Sequence, residues 1–160
     1  MSNLNKVIVG FLVLLVLCGV GIFVLNIRGY NIIPTKQPVA IIKNQRIDLL
    51  ITKTQQDREI GLSKYKSIPN NQGMLFSFGK QGYYSFWMKD MKFPIDIIYI
   101  SNDKIVTIYP NVMPPKKGQG SPPLYNPTAP SDTVLEINAN LSKKYNFKTG
   151  DKITYENLSS

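Results

Sequence analysis

From Val7 to Ile27 the chain carries no charged residue, and this one stretch divides its 160 residues into two parts with different physical fates. About twenty apolar residues in a helix, rising 1.5 Å each, span a bilayer's hydrocarbon core. A helix there also satisfies its own backbone groups. The apolar core of a secretory signal peptide is shorter, about 7–15 residues, and ends at a small-residue cleavage site. No Ala-x-Ala follows this run, so residues 1–30 read as an uncleaved, single-pass membrane anchor in contact with lipid. Cys18, the only cysteine, follows Leu17 rather than the small residue of a lipobox, and apolar residues continue to Leu25. It reads as a small apolar side chain within the span.

Lys6 precedes the run, whereas Arg28, Lys36, Lys43 and Arg46 follow it. Counted literally, those charges would hold the rest of the chain in the cytoplasm. Long folded domains, however, cross largely regardless of charge, and a five-residue leader before Lys6 has the form of a signal-anchor. The expectation is an extracytoplasmic domain on the cell membrane.

Residues 31–38 read as an extended linker punctuated by Pro34 and Pro38. Residues 39–160 are long enough for one core. Setting Lys6 and Arg28 aside leaves, over residues 31–160, 17 of the 19 basic residues against 10 acidic ones, a charge of +7. Such an excess suits an anionic surface or wall polymer. Its lysines are scattered, which argues against a nucleic-acid groove.

Within the domain, Val39–Lys43 and Arg46–Ile51 form a predicted hairpin, with Ile47, Leu49 and Ile51 on one face. Thr54 is a predicted N-cap for a helix from Gln55 to about Ser63. Further strands are expected at Met74–Phe78, Tyr83–Met88, Ile95–Ile100, Lys104–Tyr109, Thr133–Ile137 and Lys152–Tyr155. Asn140 is the expected cap of a second short helix, Leu141–Tyr145. Between Pro110 and Pro130 lie seven of the eleven prolines and no periodicity, the pattern of a functional or poorly ordered loop. The fold class is therefore mainly β: a compact antiparallel barrel or sandwich with one or two short helices.

The chemistry concentrates in Phe86–Ile100, where the only tryptophan, two methionines, two lysines and two aspartates adjoin one apolar strand. Asp96 shares a strand face with Ile98 and Ile100. A carboxylate placed there needs a partner, and Arg58 or Lys89 is the candidate cation. A guanidinium can hold a carboxylate through two parallel bonds, either as a clamp between helix and sheet or as part of a pocket for an anionic ligand. Trp87 and Met88 face opposite ways in a strand, so one of them lines a cavity while the other packs inward. Asp96 with Glu136 is a second option, a general acid/base pair of the glycosidase kind acting on wall glycan.

Met74, Met88, Met91 and Met113 are soft ligands, but with no histidine in the chain, core filling is the reading. No metal and no cofactor is expected. Nucleophilic catalysis would be limited to serine–lysine schemes, and no glycine-rich phosphate loop is present.

The order of several short motifs resembles a widespread prokaryotic family, domain of unknown function 192. They are Arg58-Glu59-Ile60-Gly61-Leu62, Gly73-Met74-Leu75-Phe76-Ser77-Phe78, Phe86-Trp87-Met88-Lys89 through Pro94 to Ile100, Val134-Leu135-Glu136 and Gly150-Asp151. The resemblance covers about residues 39–156 and implies a compact, mostly β domain, often behind an export or anchor segment, with no established enzyme activity. The chain departs from the family pattern at Asp90, where asparagine is common. It also departs in Pro122-Pro123-Leu124-Tyr125, which lacks a cysteine, and around Asn138-Ala139-Asn140, where a glycine is common.

Three functions fit these features. One is a membrane-anchored module that binds a small or envelope-derived ligand through Arg58, Trp87, Met88, Lys89 and Asp96 without turning it over. The others are the wall-glycan hydrolase and a structural or protein-partner domain.

Overall fold

A computed structural model describes residues 36–116, 118 and 120–158. The predicted anchor, residues 1–30, and most of the predicted linker lie outside the described residues. Among the described residues no helix is long and apolar enough to cross a membrane.

Seven strands form one curled sheet and two more form a short ribbon. Chain order is β1 (Val39–Ile42), β2 (Gln45–Ile51), α1 (Gln55–Ile60) running into a 3-10 turn (Gly61–Lys64), β3 (Gln72–Gly82), β4 (Phe86–Trp87) and β5 (Ile95–Ser101). β6 (Lys104–Val112), β7 (Leu124–Tyr125), β8 (Ser131–Asn138), α2 (Leu141–Lys144) and β9 (Ile153–Glu156) complete it. The sheet order is β6-β5-β8-β3-β2-β1-β9, and β4 pairs with β7.

The outer strands approach one another at one end. Lys104 bridges Lys152, and Ile105 N–H donates to the Asp151 carbonyl at 3.0 Å. The expected barrel or sandwich is thus a half-barrel, a single sheet curled until its edges touch. One pairing also differs from the antiparallel expectation. β2 and β3 run parallel, because the chain between them crosses over through α1 and its turn instead of reversing in a hairpin.

Alternation along the strands builds two apolar clusters. Ile98, Ile100, Leu135, Ile137, Leu49 and Ile47 belong to the first, with Leu141 and Phe147 packed over them. Ile95, Ile97, Tyr99, Val134, Met74 and Phe76 belong to the second, with Leu62, Met88 and Met91. Strand β5, flanked by β6 and β8, is buried on both faces throughout Ile95–Ile100, which is why it reads as a near-continuous apolar run.

Thr54 caps α1 as expected. Its hydroxyl accepts from Asp57 N–H at 3.0 Å, and the Asp57 carboxylate accepts from Thr54 N–H at 2.9 Å. The helix stops early at Gly61, whose φ of 52 and ψ of −140 suit glycine and little else. The Pro110–Pro130 segment is less irregular than expected, since β6 runs to Val112 and β7 pairs with β4.

Candidate functional site

Asp96 has no exposed surface. Its Oδ1 accepts from Asn111 N–H at 2.7 Å and Asn140 N–H at 2.8 Å, and its Oδ2 accepts from Ser142 N–H at 2.7 Å. Neither Arg58 nor Lys89 touches it, which corrects the predicted ion pair. The backbone arrangement explains why. Ile95 pairs with Val112 but Ile97 with Tyr109, so Pro110 and Asn111 both bulge opposite Asp96. That bulge turns the Asn111 amide inward. Asn140, expected to cap α2 through its side chain, makes no such bond and holds φ of 66. The Asp96 carboxylate takes that role from across the sheet. It is a structural anchor joining β5, β6 and α2.

Glu136 lies on the other face. Asp96 pairs with Ile137 and Ile97 with Glu136, so the two carboxylates project to opposite sides of the sheet. The acid/base pair proposed for a glycan hydrolase is therefore not formed.

The remaining candidates do converge. α1 and its turn lie beside the segment leading out of β4, and the cleft between them is lined by Arg58, Gly61, Phe76, Trp87, Lys89 and Glu136, among others. Its volume of about 30 Å³ admits a carboxylate-sized group or two waters. At the base, Glu136 is 5% exposed and its Oε2 is buried without a hydrogen-bond partner. A Cβ on Gly61 would lie 4.0 Å from that oxygen and 3.5 Å from the Phe76 ring, so the bare turn rests against the carboxyl.

Burial raises the Glu136 acid to about 8. At neutral pH it is mainly a neutral carboxyl, able to donate one hydrogen bond and accept others.

Trp87 stands at the mouth, 46% exposed, with the Lys89 ammonium 5.3 Å from its ring centre. The Arg58 guanidinium sits 5.9 Å from the Phe78 ring centre. From this mouth a groove of about 340 Å³ runs past Gln55, Phe78, Tyr84 and Phe86. Phe78 and Tyr84 stack there at 3.7 Å, and Phe86 meets Phe76 edge-on at 4.9 Å. Met88 does not join it: at 1% exposure it faces the core and borders a separate hollow of about 390 Å³ along Pro110–Pro115. Among the described residues no group of three or more acidic, histidine or cysteine side chains could hold a metal.

Sequence reasoning named Glu136 but placed it with Asp96 rather than with Arg58 and Trp87. The usable signal was its alternation with Leu135 and Ile137, which fixes its face.

The profile of DUF192, described as an uncharacterized ACR, matches residues 39–155. The chain belongs to this family. Two crystal structures resemble the DUF192 domain. A protein of unknown function from Novosphingobium aromaticivorans is 25% identical, with a TM-score of 0.65 over 73% of this chain and 83% of that one. A putative transcription regulator from Sinorhizobium meliloti is 26% identical, with a TM-score of 0.63 over 76% of this chain and 94% of that one. No curated protein matches the chain.

Two departures from the family pattern have a simple physical basis in the DUF192 fold. Asp90 and Asn140 occupy left-handed backbone positions, φ of 58 and 66, which aspartate, asparagine and glycine tolerate better than other residues.

Proposed function

We propose that this domain is a membrane-tethered, extracytoplasmic binding module that holds a small or envelope-derived ligand without turning it over. The observation that carries the reading is the convergence of Arg58, Trp87 and Lys89 on an accessible cleft whose base is the unpartnered Glu136 carboxyl. Concave sites with an apolar wall and a few convergent polar groups are the usual form of ligand pockets. The aromatic groove offers faces for a planar or sugar ring, and the two cations offer a grip for a polar or anionic group. The tether rests on the charge-free run from Val7 to Ile27, and the envelope setting on the domain's basic excess. Catalysis lacks support because Asp96 and Glu136 lie on opposite faces of the sheet, and Glu59, the other acid lining the cleft, is exposed and bonded to Gln55.

A thermal-shift screen of envelope glycan and peptide fragments tests the reading. A stabilising fragment should lose at least about tenfold in affinity, near 1.4 kcal/mol, in Trp87→Ala and again in Arg58→Ala, with both variants folded. Unchanged affinity in both would remove the cleft as the binding site.

A further inference from the structure

Resting on that reading, we propose that the cleft takes the carboxylate end of its ligand, gripped between Arg58 and Lys89 at the mouth and hydrogen-bonded by the Glu136 carboxyl at the base. Neither cation makes an ion pair among the described residues; their contacts are the faces of Phe78 and Trp87. Both charges are thus free for an incoming anion, and guanidinium suits a planar carboxylate especially well. An amine would instead meet two like charges at the entrance. The narrow base favours a flat carboxylate over a tetrahedral phosphate, and the aromatic groove beside the mouth gives room for the rest of the molecule.

The unpartnered Glu136 oxygen supplies the second half of the recognition. A neutral carboxyl donates its O–H to a ligand carboxylate, whereas an ionised one repels it. The titratable and charged groups around Glu136 are Arg58 and Glu59 from α1, Lys89 after β4 and Tyr99 from β5. Glu59 is exposed and engaged with Gln55 at 2.9 Å. Burial raises the Tyr99 phenol above its ordinary value, so it stays neutral across the range where Glu136 ionises. Glu136 is therefore the group that sets the pH dependence. With its acid near 8, roughly a tenth remains protonated at pH 9, and apparent affinity falls by that fraction, about tenfold.

Trp87, the only tryptophan, reports on the site by fluorescence in the detergent-solubilised full chain. Three probes share a ring and differ in their end group: phenylacetate, phenylacetamide and phenethylamine. Phenylacetate should bind best at pH 6, with a dissociation constant about tenfold higher at pH 9. Glu136→Gln keeps a donor and should bind phenylacetate equally at both pH values. Lys89→Ala, on an exposed side chain, should weaken phenylacetate more than it weakens phenylacetamide. Tighter binding of phenethylamine than of phenylacetate, or a pH response that survives in Glu136→Gln, would overturn the proposal and leave the binding module standing. Silence of all three probes at both pH values would overturn both.

Discussion

Two acidic residues, neighbours across β5 and β8, show how completely surroundings decide what a carboxyl does. Asp96 accepts three backbone N–H groups, so removing its charge weakens three bonds at once. Asp96→Asn can satisfy at most part of that set and should lower stability by about 3 kcal/mol, since bonds to charged groups contribute about 1.5–3 each. Urea unfolding measures this, and a loss below about 1 kcal/mol would mean the amides find other acceptors. Glu136 predicts the opposite behaviour. Its acid rises from 4.5 to about 8 on folding, so between those values the folded chain holds a proton that the unfolded chain has released. Stability from this group is full below 4.5 and is lost as pH rises toward 8, by up to about 1.4 kcal/mol per unit. Glu136→Gln should flatten that slope in unfolding curves at pH 5, 6.5 and 8. Parallel slopes for both proteins would place the proton elsewhere.

At the scale of elements, period-2 alternation made most of the fold legible. The hairpin, the faces of β2 and β5, the capped α1 and the strands either side of Asn102-Asp103 all follow from local pattern. The parallel pairing of β2 with β3 does not, because a crossover leaves no local signature in either strand. The β4–β7 ribbon was obscured by prolines. Asp96's partners were illegible for a related reason: they are amides, which every sequence contains, aimed by a bulge and a left-handed turn from segments up to 46 residues away. Glu136 was assignable to a face, but only the fold shows that α1 and the segment after β4 cover that face. Gly73 in β3 offers a test of how tightly these strands pack. A Cβ there would sit 2.7 Å from the Glu136 carbonyl oxygen and 2.9 Å from Ile137. Backbone cannot yield cheaply, so Gly73→Ala should cost about 1–3 kcal/mol by overpacking, read as a lower urea midpoint. An unchanged midpoint would show that β3 and β8 can separate without loss.

For the whole molecule, the curled sheet and the apolar leader pose separate questions. The sheet protects its outer strands by bringing them together: Gly150 N–H donates to Ile105 at 2.8 Å and Ile153 N–H to Asp103 at 2.8 Å. That arrangement covers one end of each outer strand. The proposed tether rests on the charge-free run Val7–Ile27 alone, so it is tested separately from the sheet. In cells producing the full chain, the protein should remain in the membrane pellet after a carbonate wash. Leu14→Arg combined with Leu17→Arg should release it, because each arginine at mid-span costs about 2.5–3.5 kcal/mol of insertion free energy. Protease added outside intact spheroplasts should digest the domain, as an extracytoplasmic module requires. Protection from external protease, with digestion only after lysis, would put the cleft on the cytoplasmic side and deny it any wall-derived ligand. The carboxylate chemistry of Arg58, Lys89 and Glu136 would survive that result, because it depends on the cleft alone, and the search for its ligand would move to the metabolites of the cell interior.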